Sequence, residues 1–213
     1  GDINILFEFE KYFGNNSERL FLTESFRLSN QLAKISNNFI SKNPKQSDKS
    51  IHSSKQFDTP IKIYTKKSDK DDGVILKIIK KISEENKNNK TTALILNRYN
   101  YDSIKDFYNQ IIKKTDKYSN VEVKSSSIHR QKGSEADYVI IDDFDGGFIG
   151  FPNKMVEDSV LHMVIEKPED FVDAEERRVL YVATTRSKIQ TFIIKTFNHD
   201  GGPSDFFNEL KIE

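Results

Sequence analysis

GVILKIIKKISEENKNNKTTALILN, residues 73–97, carries the two periods on which the fold turns. Ile75, Ile78, Ile79 and Ile82 recur at helical spacing and make one apolar face. The short run from Ala93 to Leu96 then reads as a buried strand. The same pairing recurs along the chain. Further apolar runs stand at Ile61 to Tyr64, Tyr138 to Ile141 and Phe192 to Ile194, and a second helical stripe is formed by Ile104, Phe107, Ile111 and Ile112. Strands alternating with helices imply right-handed crossovers, so the pattern predicts an α/β sandwich of three layers around a mostly parallel sheet.

Upstream, Ser29 is placed to cap a helix whose stripe is Leu32, Ile35 and Phe39 and which runs out before Pro44. Residues 41–58 are rich in Ser, Lys, Asn and Gln and bury too little apolar surface to offset chain entropy, so a mobile connector is expected there. Residues 145–170 lack a period and are broken by Gly146, Gly147, Gly150, Pro152 and Pro168, which predicts a long surface excursion. A chain of 213 residues suits one domain. Its 33 basic and 33 acidic residues cancel, so any nucleic-acid contact has to be local. The absence of cysteine excludes disulfides and thiolate metal sites, and no apolar run has the length of a membrane span or secretion signal. A soluble, cytoplasmic protein with no metal site is the expectation.

Three segments stand out. In DAEERRVLYVATTRSK, residues 173–188, Val179, Val182 and Ala183 form a stripe that Arg186, four residues after Val182, continues with a guanidinium. Two readings fit that spacing: an arginine snorkelling at a helix end, or a planar cation reaching for phosphate. SSSIHRQKGSEADYVIID, residues 125–142, sets hydroxyls, an imidazole and the backbone beside Gly133 just ahead of a strand, where such groups either grip phosphate oxygens or make an ordinary hydrogen-bonded loop. LTESFRLSNQ, residues 22–31, places Arg27 just before the proposed cap.

In this order and wording the three segments resemble motifs IV, V and VI of the UvrD/Rep-type superfamily 1 DNA helicases, and most closely the helicase IV branch. LTESFRLSNQLAKISNNFISKNPKQ resembles motif IV, SIHRQKGSEADYVIID resembles motif V, and EERRVLYVATTRSK resembles motif VI nearly residue for residue. DGGFIGFPN extends the likeness to nearly the whole chain. Ser127 and Ser134 stand where the broader family most often has Thr and Leu. No Walker A loop and no acidic DExx pair are found, so the chain reads as a fragment beginning just after motif III, with Gly1 and Asp2 near the junction.

The resemblance implies the second RecA-like motor domain of an ATP-dependent helicase, residues 1–213 forming that domain. ATP and Mg2+ would be held mainly by a first RecA-like domain of the same protein. Arg27 and Arg186 would act as arginine fingers on the γ-phosphate, Glu135 would contact the ribose, and Gly133 would bring the backbone near the nucleotide. Ser127 and His129 would face single-stranded DNA, joined by Arg98 at its backbone and Tyr99 as a stacking platform. The large insertion that Rep-type members carry ahead of motif V should be absent, because only a turn fits between Lys114 and Val121. Two other readings compete: a helicase-IV-like factor that uses ATP to release RNA polymerase, and an α/β interaction domain that only borrows the fold.

Overall fold

The computed structural model describes residues 5, 8–14, 16–18, 20–44, 51–99, 101–131, 133–147, 150–154, 171–197 and 199–210. Gly1 and Asp2, and the 155–170 part of the expected excursion, lie outside them. In chain order the elements are α1 (Phe9–Phe13), α2 (Asn30–Ile40), β1 (Ile61–Lys66), α3 (Gly73–Glu85), β2 (Thr91–Asn97), α4 (Asp102–Thr115), β3 (Val121–Ser127), a 3-10 turn (Ile128–Gln131), β4 (Ala136–Ile141), α5 (Ala174–Thr184) and β5 (Ser187–Thr196). The five strands form one sheet in the order β1-β5-β4-β2-β3, every pair parallel.

Alternation along each strand divides the core in two. Leu94, Leu96, Val139, Ile141 and Ile193 pack with Leu32 and Phe39 of α2 and Val179, Leu180 and Ala183 of α5. Ala93, Ile95, Tyr138, Ile140 and Phe192 face the opposite way, onto Ile75, Ile78, Ile79 and Ile82 of α3 and Tyr108 and Ile111 of α4. The three-layer α/β/α sandwich read from the sequence is thus the architecture formed. Ser29 caps α2, its hydroxyl accepting from Leu32 N at 3.1 Å. Between α4 and β3 there are only turns, closed by Tyr118 N to Thr115 O at 2.8 Å and Val121 N to Tyr118 O at 3.0 Å.

The described parts of the two expected loops make specific contacts. The described part of the connector, 51–58, is fastened down: Asn37 Nδ2 donates to Ile51 O at 2.8 Å, His52 N to Thr23 O at 2.9 Å, and Asn30 N to Lys55 O at 2.7 Å. Polar composition hid this, because the segment is held by these hydrogen bonds together with the packing of Ile51 against the core. Residues 45–50 lie outside the described residues. The excursion from Asp145 begins inside the molecule, where Asp145 and Gly146 are buried and Phe151 packs against Phe144 and Phe206. Gly146 crosses Gly201 so closely that a Cβ on Gly146 would lie 2.6 Å from the Gly201 carbonyl oxygen. Glycine at that crossing serves close packing of two chains, whereas in sequence it reads as a loop breaker.

The ends of β1 and β4 are joined by a buried charge. Lys66 is fully buried and its ammonium lies 2.9 Å from Asp142 Oδ1, with Asp143 as a second carboxylate partner. Tyr108 of α4 donates to Asp142 Oδ2 at 2.8 Å. Burial opposes the Lys66 charge, but the two carboxylates outweigh it and raise its pKa. Lys66→Met removes the cation and leaves Asp142 buried and unpaired, so urea unfolding should show a loss of about 3–5 kcal/mol.

Asp143 carries the pH dependence. Burial first, and the charge of Asp142 next, raise its carboxyl from 3.8 to about 6, against the pull of Lys66 and with a small push from Asp69. The folded chain therefore holds this proton more tightly than the unfolded chain. The resulting stabilisation is complete below about pH 4 and is lost as pH rises through about 6. The side chain is 43% exposed, so solvent screening makes the effect modest. Melting curves across that window should show wild type losing ground to Asp143→Asn as pH rises.

Candidate functional site

Arg27 is aimed by a local turn and a prop. The Ser25 hydroxyl accepts from Arg27 N at 3.3 Å and Leu28 N at 3.2 Å, while Ser25 N donates to His52 O at 2.8 Å in the bridge between Glu24 and His52. From there Arg27 Nε donates to Glu135 Oε2 at 2.9 Å, and its Nη1 lies 3.5 Å from Thr185 O. Glu135, just ahead of β4, receives Lys188 Nζ on Oε1 at 2.7 Å. These bonds, from Lys188 first and Arg27 second, lower the Glu135 pKa.

Arg186 is not on the helix. α5 ends at Thr184, and Thr185 turns its hydroxyl back onto Tyr181 O at 2.6 Å, so the stripe drawn through Val182 stops short of Arg186. The side chain folds over the helix end, donating from Nε to Val182 O at 3.0 Å and from Nη1 to Ser134 O at 3.1 Å. A cation at that end complements the helix dipole. Burial, then the like charge of Arg27, lower its pKa. No acid neutralises Arg186 in these bonds: Glu176 is ion-paired to Arg98.

Arg27, Glu135 and Arg186, from three separate segments, line one cleft of about 730 Å³. Its walls carry four basic side chains, Arg27, Lys55, Arg186 and Lys188, against the two acids Glu24 and Glu135. A chain of zero net charge thus has a locally positive cleft. Gly133 lies at the turn into β4 with φ of +94° and open space where a Cβ would stand. Sequence reasoning missed Lys188 and Phe26. Lys188 follows Arg186 by two residues, the same-side spacing of a strand, which was the available signal. Phe26 is 77% exposed on the cleft wall, and nothing in the period distinguishes it from a core phenylalanine.

The remaining expected residues gather at the other end of the strands. Ser127 closes β3 and is buried, and His129 is exposed on the 3-10 turn. Arg98 follows β2 and is already engaged: its Nε donates to Glu176 Oε2 at 3.2 Å, and its Nη1 lies 3.4 Å from the His129 ring nitrogens. Tyr99 lies under the Arg98 guanidinium at 5.6 Å and stacks on Tyr101, rings 5.6 Å apart and 13° from parallel.

The chain resembles known proteins. Residues 101–198 match the UvrD-like helicase C-terminal domain. The particular likeness is to DNA helicase IV of Escherichia coli K12, with 31% identity over 203 residues, covering 95% of this chain and 28% of that protein. The chain therefore spans little more than a quarter of the curated relative's length. A solved C-terminal domain of a possible DNA helicase from Lactobacillus plantarum WCFS1 aligns with a TM-score of 0.46 at 14% identity, covering 88% of this chain and 93% of that one. Among the described residues no helix is long and apolar enough to cross a membrane.

Arg186→Ala removes two bonds to carbonyl oxygens and strands no buried acid. Its unfolding free energy should fall by only about 1–2 kcal/mol by urea titration.

Proposed function

We propose that this chain is the C-terminal motor half of an ATP-dependent DNA helicase or translocase, closing on a nucleotide held chiefly by another domain and gripping single-stranded DNA. The observation that carries this reading is the convergence of Arg27 and Arg186 in one cleft. Two guanidiniums of like charge, joined there by Lys188 and only partly neutralised by Glu135, give the cleft a lining that suits an anion. The γ-phosphate of ATP, with Mg2+ beside it on the facing domain, suits that place, since fixed cations act most strongly on the charge that develops during transfer. Glu135 and the Gly133 turn stand beside them for the sugar, and the exposed ring of Phe26 offers a flat apolar surface to a base. Ser127, His129 and the Tyr99–Tyr101 stack form the DNA-facing edge, where stacking on aromatic faces holds bases irrespective of sequence.

The test is single-turnover ATP hydrolysis by a motor in which this chain is joined to an ATP-cradling partner domain, with the chain alone as the silent control. Arg186→Ala should cut turnover by roughly a thousandfold or more while nucleotide affinity changes far less. Normal hydrolysis by the folded variant overturns the assignment.

A further inference from the structure

The polar strap of residues 53–57 delivers a cation to the peptide bond that carries Arg27. Its backbone is laid along the first turn of α2: Ser53 N donates to Asn30 Oδ1 at 3.4 Å, Asn30 N to Lys55 O at 2.7 Å, and Phe57 N to Gln31 Oε1 at 3.1 Å. Within the strap Lys55 N donates to Ser53 Oγ at 3.1 Å. These bonds fix where the Lys55 side chain starts. It ends on the neighbouring segment, where Nζ donates to Phe26 O at 2.5 Å. The N–H of that same peptide, belonging to Arg27, donates to Ser25 Oγ at 3.3 Å.

A planar peptide held at both its oxygen and its N–H resists swivelling between its two Cα atoms. The directions in which the Phe26 ring and the Arg27 guanidinium leave the backbone are thereby set together. The tip of Arg27 is less constrained: it has one carboxylate bond, to Glu135, and a long contact of 3.5 Å to Thr185 O. When a ligand draws the tip away, the root of the side chain is what stays in place. Lys55 is exposed, so its bond adds little to stability, and its consequence lies in geometry. Lys55 also lines the positive cleft, but its ammonium reaches an anion there only by giving up Phe26 O. We propose that Lys55 is a positioning residue for Arg27, acting through the Phe26–Arg27 peptide. For its effect on turnover the proposal rests on the nucleotide reading given above.

Two measurements test it. In the ¹⁵N-labelled chain the Arg27 amide signal should move in Lys55→Met, since a bond on the carbonyl polarises the N–H of the same peptide, and should return towards its wild-type position in Lys55→Arg. The melting temperature should not change. An Arg27 signal indifferent to Lys55→Met overturns the proposal, whatever nucleotides do. In the motor joined to an ATP-cradling partner domain, Lys55→Met should slow single-turnover hydrolysis by about tenfold at nearly constant nucleotide affinity, the scale of a misaimed group, and Lys55→Arg should recover most of the loss. In an Arg27→Ala background Lys55→Met should have no further effect. A loss confined to affinity, or a tenfold loss that persists without Arg27, overturns the positioning role, because Lys55 then meets the anion itself. Normal hydrolysis by Arg27→Ala overturns the nucleotide reading and the positioning role with it.

Discussion

Burying the ammonium of Lys66 is the constraint around which the carboxyl end of the sheet is arranged. It closes β1, and its partners Asp142 and Asp143 follow β4, with β5 lying between the two strands. A charge in that position must be matched, and matching it fixes how far the chain can travel before it turns. Asp143 makes that turn with φ of +56° and sends Phe144 into the core. Asp145 then accepts Thr196 N at 2.8 Å, and the chain crosses Gly201. Tyr108 ties α4 to the same carboxylate. Strand ends, loop crossing and helix position thus answer to one buried cation.

The layers were legible because burial leaves a period: each isoleucine of the α3 stripe and each apolar run marked a surface that had to be covered. What escaped was held by other forces. Lys66 reads as the polar end of a strand, since its burial depends on carboxylates about eighty residues downstream in the chain. Arg186 was misplaced because a period extrapolates past the residue where threonine hydroxyls return to the helix carbonyls and end it. The site residues were named by resemblance, while their partners, Thr185 O and Ser134 O among them, are backbone atoms that no motif records. Phe26 was invisible for a related reason. It is an apolar side chain left out, and composition cannot distinguish it from its ordinary fate.

The segment from Ser127 to Glu135 joins the two ends of the domain. Ser127 stands on the wall of a small pocket at the carboxyl end of β3, and eight residues later Glu135 stands in the positive cleft at the amino end of β4. The Arg98–Glu176 pair runs beside it, from the end of β2 to the first turn of α5, with His129 against Arg98. α5 ends where Arg186 begins.

Glu135 gives the cleft a further property. Its two oxygens divide Arg27 and Lys188 between them, so both cations are occupied before any ligand arrives. On the function proposed, an entering polyanion would take over bonds that already exist, each step exchanging one carboxylate contact for one oxygen of the guest. Such a cleft would discriminate by charge density: a singly charged buffer ion would gain little by displacing Glu135, whereas a group bearing several negative charges would gain from both cations together. The carboxylate would then act as an internal competitor, always present at the same effective concentration.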